Sequence, residues 1–293
     1  MSGDMRAYFG RIGASRPGSG AAALAAVQRR QILSIPFEGI DPFLGRMPDL
    51  GRHALFGKIV SGGRGGYCFE LNLLFGAALE TLELPVRRVL GRVRLNRPRP
   101  GPRGHLAWIA SVEGQRFLAD AGFGGVCPLA PVPLAEGEWL IGGETLGLRR
   151  DTATDEWVLS HRSPQGWSDL YGFDEAHVTD ADIEAANRLC ATWDQMPFSA
   201  HLLVNGYDGA CRLGLYDLQL VEQENTGRRR RQIADAGDLR HVLVNRLRLN
   251  LDDDLIAALW LRLAGSDSAP PRSDNMPVRG SARKQEDAGH DRS

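Results

Sequence analysis

A chain of 293 residues with 43% hydrophobic composition has the length of about two domains and apolar content enough for a sizeable core. Its 35 Lys and Arg balance 36 Asp and Glu to a net charge of −1, so no overall field holds a polyanion or a membrane surface. No run approaches the roughly 18 apolar residues of a membrane span, and the alanine-rich Ala21 to Val27 is no signal-peptide core, so a reduced, cytosolic compartment is expected.

Residues 1 to 82 read as helices. Met5, Tyr8, Phe9 and Ile12 share one face, and a second helix is predicted from Ala21 to Leu33 behind the Pro17-Gly18 break. Pro36 ends it, leaving Glu38 beside Ile35 and Phe37. Two readings of Glu38 stand: an exposed entry loop, or a partner for Arg64 that fixes the next loop. That loop, Gly62-Gly63-Arg64-Gly65-Gly66, crowds four glycines before Tyr67 and Cys68. Leu71, Leu74, Phe75, Ala78 and Leu82 then recur at three and four, which predicts a helix with Cys68 in its first turn. The positive end of a helix lowers a thiol's pKa and favours the thiolate. A buried small hydrophobe at a helix start is the bland alternative.

From Val86 the period becomes two, and a half-buried strand is expected to Leu95, with Arg88, Arg92 and Arg94 on its outer face. A hairpin follows, His105 to Val112 and Gln115 to Asp120, turning at Glu113-Gly114. If Val112 faces Gln115, Asp120 lies across from Ala107 and diagonal to His105, roughly 7–8 Å between backbones. A carboxylate there holds the imidazole's tautomer and supports its cation. With the helix-start thiol they complete a Cys-His-Asp nucleophile system, although a histidine and an aspartate on a hairpin are by themselves ordinary structure.

The Gly122 to Pro133 loop reads as too rich in Gly and Pro to form an element, with backbone amides at Gly124 and Gly125 able to receive a phosphate or an oxyanion. Strands are predicted at Leu146–Arg149, Trp157–Arg162 and Asp169–Phe173, giving an antiparallel sheet or barrel. Thr179-Asp180-Ala181-Asp182 resembles a capping box opening a helix to Trp193. Strands near Ala200–Val204, Arg212–Gln223 and Arg229–Ile233 and helices at Asp238–Leu247 and Asp252–Leu263 complete the ordered part. Arg228 to Arg231 follows the turn signal Asn225-Thr226-Gly227, so it reads as a solvated strand start and not a nucleic-acid patch. Cys68, Cys127, Cys190 and Cys211 stand far apart in sequence, with neither zinc spacing nor a disulfide framework, and no metal site is indicated.

Tyr8-Phe9-Gly10-Arg11-Ile12-Gly13, Ile35-Pro36-Phe37-Glu38, Arg64 to Asn72, His105 and Asp120-Ala121-Gly122-Phe123-Gly124 together resemble the arylamine N-acetyltransferases over nearly the full globular length. The resemblance implies an α+β fold: an N-terminal helical bundle, a central antiparallel β-barrel and a C-terminal α/β lid, with the triad arranged as in cysteine-protease-like folds. It divides the chain into a bundle with Cys68 (1–83), a barrel with His105 and Asp120 (84–178) and a connecting helix and lid (179–263), while the tail (264–293), rich in Pro, Ser, Asp and Arg with almost no apolar residues, is expected to be disordered from its composition. It further implies ping-pong acetyl transfer from acetyl-CoA through a Cys68 thioester to arylamines, arylhydrazines or arylhydroxylamines, in xenobiotic metabolism. Phe37 and Phe123 would wall the acceptor, Gly124 and Gly125 would meet the CoA, and no permanent cofactor is implied. Gly39 and Gly104 replace the family's usual asparagine and threonine, which is expected to loosen both segments. An amide synthase of polyketide biosynthesis, a thiol hydrolase with water as acceptor, and a non-catalytic binding protein on the same fold are the alternatives.

Overall fold

The structure, a computed structural model, describes residues 2–14, 18–95, 99–224 and 227–265. It opens with α1 (Gly3–Arg11), where Ser2 Oγ accepts from the Met5 amide at 3.4 Å and Met5, Tyr8 and Phe9 turn inward. On α2 (Gly20–Ser34) the buried residues Leu24, Val27, Gln28, Gln31 and Ile32 recur at three and four. Two of these are glutamines that tie distant segments together. Gln31 accepts from the Tyr8 hydroxyl at 2.7 Å and donates to Leu71 O at 2.9 Å, while Gln28 donates to Pro128 O at 2.7 Å. After Pro36 come β1 (Phe37–Glu38), α3 (Ile40–Phe43), α4 (Arg52–Leu55), a π-helical turn at Phe56–Ser61 and α5 (Cys68–Thr81). Burial takes in Cys68 to Asn72 and Leu74 to Leu79, so α5 is a central helix.

The next eight strands are β2 (Val86–Val93), β3 (Arg103–Val112), β4 (Gln115–Ala119), β5 (Val132–Pro133), β6 (Gly137–Ile141), β7 (Glu144–Asp151), β8 (Glu156–Ser163) and β9 (Gly166–Phe173). They form one antiparallel sheet ordered β5-β4-β3-β2-β9-β8-β7-β6, whose edges are consecutive in the chain, a nearly closed barrel around Val89, Ala107, Leu118, Leu146, Leu159 and Tyr171. Val112 pairs with Gln115 and Trp108 with Ala119, the register expected from the sequence. The turn has positive φ at both Glu113 (53°) and Gly114 (79°), which matches the twist of the flanking strands.

Three strand expectations in this sheet need correction. β2 stops at Val93, and Arg94 is buried instead of facing outward, because its guanidinium donates to Asp151 at 2.9 Å and Glu156 at 2.8 Å. β5 and β6 lie where no element was expected. The first is two residues long and has no period, and in the second Trp139 and Ile141 pack on the barrel core but the apolar Leu140 between them is 76% exposed, which hides the alternation in the sequence.

Thr179 and Asp182 cap α6 (Asp180–Thr192) reciprocally, as their spacing predicts. A 3-10 turn at Pro197–Ser199 delays the next strand, so β10 is Leu203–Asp208 and not Ala200–Val204. The segment expected as one strand from Arg212 to Gln223 is two, β11 (Cys211–Tyr216) and β12 (Gln219–Glu224), folded at Asp217 with φ 50°. β13 (Gly227–Gln232) exposes Arg228, Arg229 and Arg230, while Arg231 forks onto Asp238 at 2.5 and 2.9 Å. α7 (Ala236–Arg240), a π-helical turn at His241–Arg246 and α8 (Asp253–Gly265) cover this sheet, ordered β1-β10-β11-β12-β13. Phe37 pairs with Asn205 and Glu38 with Val204, so two residues of the N-terminal segment are the edge of the C-terminal sheet. Ala264 and Gly265 finish α8, and the rest of the expected tail, 266–293, lies outside the described residues. Among the described residues no helix is long and apolar enough to cross a membrane.

Candidate active site

The glycine loop before α5 is laid directly on β1. Glu38 N donates to Gly66 O at 2.9 Å, and a Cβ on Gly65 would stand 2.2 Å from Pro36 O, so only glycine passes there. Arg64 binds Glu38 Oε1 through Nε at 3.0 Å and Nη2 at 2.7 Å, and Glu38 is 1% exposed. The pairing considered for these two residues is therefore present, inside a larger cluster. Lys58 sits 2.6 Å from Asp41, 2.8 Å from Glu70 and 3.8 Å from Glu38. Glu70, two residues after Cys68, accepts from the Tyr67 amide at 3.1 Å and closes the first turn of α5. Burial pushes its carboxyl up to about 7 despite Lys58. Lys58, Asp41 and Glu70 carried no signal in the sequence, since charges on a helix or loop are ordinarily solvated.

His105 and Asp120 meet at the open end of the β3–β4 hairpin, with Nε2 to Oδ2 at 2.7 Å and exposures of 1% and 0%. The Tyr171 hydroxyl donates to the same oxygen at 2.9 Å, and Asn72 Nδ2 and the Gly122 amide each donate to Oδ1 at 2.9 Å. Burial opposes the charge on Asp120, yet His105, Asn72 and Gly122 together hold its carboxyl below the usual carboxylate range. Asn72 lies four residues after Cys68, on the same face of α5. It also donates to Leu106 O at 2.6 Å and accepts from the Ala121 amide at 3.0 Å, so the thiol-bearing helix is pinned to β3 and to the segment that leaves β4.

Cys68 is the first residue of α5, and its thiol donates to Gly104 O at 3.6 Å, one residue before His105. The expected lowering of this thiol's pKa is not found. Burial at 4% exposure pushes it well up, Cys190 and Asp120 add to the rise, and the Leu106 and Phe69 amides pull the other way without overcoming it. Cys190 of α6 donates to the same Gly104 O at 3.4 Å. A Cβ on Gly104 would stand 2.8 Å from Cys190 Sγ and 3.2 Å from Met196 Cε, so the space of the usual threonine is filled and the strand start is not loosened. Gly39 is likewise backed by Phe198, whose Cδ1 would lie 3.2 Å from an added Cβ.

The Phe123 ring meets the His105 ring edge-on at 5.0 Å between centroids, and Tyr171 tilts against it at 4.6 Å. Phe37 packs against the Phe198 ring at 6.1 Å, and Phe198 against Tyr67 at 5.5 Å. Gly124 and Gly125 have φ of 74° and 50° and line a small cavity with Phe37, Gly122, Cys127 and Arg212. Phe198 is the aromatic neighbour of Phe37 and Tyr67 that sequence reading missed, since nothing in Pro197-Phe198-Ser199 ties it to residues so distant in the chain.

A helix-borne thiol held against a strand that carries a histidine–aspartate pair is the geometry of nucleophilic acyl chemistry. The N-acetyltransferase family model matches residues 21–256. An arylamine N-acetyltransferase of Escherichia coli (strain K12) is 34% identical over 278 residues, covering 90% of this chain and 96% of that protein. The solved arylamine N-acetyltransferase of Salmonella typhimurium superposes with a TM-score of 0.84 at 29% identity, over 90% of this chain and 99% of that one. A Mycobacterium marinum arylamine N-acetyltransferase solved in complex with CoA gives 0.81 at 27% identity, over 88% and 97%. The chain is an acyltransferase, and it belongs to the arylamine N-acetyltransferase family.

Proposed function

We propose that this protein moves an acetyl group from acetyl-CoA to the nitrogen of an arylamine in two half-reactions, through a thioester on Cys68. The observation that carries the reading is the meeting of the Cys68 thiol with β3 one residue from His105, whose ring is anchored to Asp120 at 2.7 Å. Burial favours the neutral thiol, so the attacking sulfur forms as its proton passes to His105, and Asp120, held ionised, supports the resulting imidazolium. The sulfur adds to the thioester carbonyl of acetyl-CoA, and the departing CoA sulfur takes the proton back from His105. In the second half the amine attacks the acetyl-Cys68 carbonyl, gives its proton to His105 and releases Cys68. Phe37 and Phe123 supply apolar wall for the aromatic ring, and Gly124 and Gly125, whose backbone faces the adjoining cavity, receive part of the CoA.

Mixing with acetyl-CoA should add the mass of one acetyl group on Cys68, absent in Cys68→Ser. An adduct elsewhere, or none, would sink the mechanism. Arylamine should then raise the rate of CoA release; equal release with and without it would mean that water is the acceptor.

A further inference from the structure

We propose that Cys68 and Cys190 are an oxidation-sensitive thiol pair, a disulfide site at the nucleophile itself that closes on contact with a peroxide. Far apart in the chain, they are brought to a single atom: both thiols donate to Gly104 O, at 3.6 and 3.4 Å. No side chain stands between them at that residue, and Cys190 Sγ lies so close to Gly104 that an added Cβ would stand 2.8 Å from it. The other two cysteines are differently placed. Cys127 donates to Asp120 O at 3.4 Å, and Cys211 belongs to the core of the five-stranded sheet. All four are free.

Burial sets the order of events. Cys190 is 0% exposed and Cys68 4%, so a small oxidant meets Cys68 first, and the oxidised sulfur then faces a thiol and little water. In the first step the Cys68 sulfur, its proton passed to His105, attacks one oxygen of hydrogen peroxide. The O–O bond breaks, leaving a sulfenic acid and a hydroxide that leaves as water with the His105 proton. In the second step Cys190 sulfur attacks the sulfenic sulfur, and the S–O bond breaks as the hydroxyl departs with the Cys190 proton as a second water. Two thiols are oxidised and one peroxide is reduced. An S–S bond of about 2.05 Å needs the two side chains to rotate off the shared carbonyl, a movement taken up at the last turn of α6, where Cys190 sits. The link holds the nucleophile in a form that dithiothreitol restores, before it climbs to the irreversible sulfinic acid.

The step rests on Cys68 being the reactive thiol, as in the proposed acetyl transfer, but the cross-link is decided by the protein's mass and peptide map, so its failure and that of the acetyl adduct are told apart. The full chain treated with hydrogen peroxide should lose two hydrogens in mass, yield a proteolytic peptide joining Cys68 to Cys190, lose transferase activity and regain it with dithiothreitol. Cys190→Ser and Cys190→Ala should instead gain two oxygens on Cys68 and stay inactive after dithiothreitol. A wild type that gains the same two oxygens, or a link from Cys68 to Cys127, would overturn the proposal, and the wild-type peptide map decides it even if neither variant folds.

Discussion

At the residue scale, Asp120 is anchored at both carboxylate oxygens, one shared by His105 and Tyr171 and the other by Asn72 and Gly122. Tyr171→Phe removes one donor while keeping the ring against His105, so a fall in kcat/KM worth about 1–3 kcal/mol is expected, with little change in KM. His105→Ala should cost more, about 10²- to 10⁴-fold in kcat, and an activity within twofold of wild type would show that the imidazole is not the proton carrier. Gly122→Ala is a third case. Its Cβ would stand 2.7 Å from Asn72 Nδ2 and 3.1 Å from Cys68 O, so both thermal stability and activity should drop. The meeting of His105 with Asp120 was legible because the hairpin turn fixes which residues of its strands lie close together. Tyr171 was not, since a tyrosine on a strand reads as packing until the fold puts its hydroxyl beside a carboxylate.

At the scale of elements, the hairpin was readable to the exact pairing because Glu113-Gly114 admits only a tight turn, and a tight turn fixes register. The cluster under the glycine loop was not, because Lys58, Asp41 and Glu70 come from three separate elements. Its pH behaviour follows from Glu70. With its pKa raised by burial from 4.5 to about 7, the folded chain binds that proton more tightly than the unfolded one, so this contribution to stability falls as pH rises between those values. Asp41 and Asp120 are shifted downward and act in the opposite sense at lower pH, outside that window. The unfolding free energy of wild type relative to Glu70→Gln should therefore decline by up to roughly 3 kcal/mol from about pH 5 to about pH 7.5. Denaturant titrations across that range showing a flat or rising difference would exclude it. In the same loop, Gly65→Ala puts a methyl 2.2 Å from Pro36 O, and a loss of about 1–3 kcal/mol with slower acetylation of Cys68 is expected by calorimetry and stopped-flow mass analysis.

At the scale of the whole molecule, bundle, barrel and five-stranded sheet are cross-tied and not strung in series. Asn72 joins α5 to β3 and to the segment that leaves β4, Cys190 of α6 and Met196 beyond it close over Gly104, and β1 joins the C-terminal sheet. Far-UV circular dichroism and tryptophan fluorescence should accordingly report one coincident unfolding transition, and two separated midpoints would refute that coupling. The three-part layout was visible in the change of periodicity along the chain. The exchange of β1 was not, because a strand of two residues has no period.

That exchange bears on biosynthesis. Phe37 and Glu38 hold the loop that presents Cys68, but their own strand partners, Val204 and Asn205, leave the ribosome after the whole barrel has been made. Early-made segments can collapse and pair locally while the edge against which the loop rests is still being translated. The loop that presents Cys68 is thus completed among the last features of the nascent chain, and an unfinished polypeptide carries that cysteine without the edge strand that positions it.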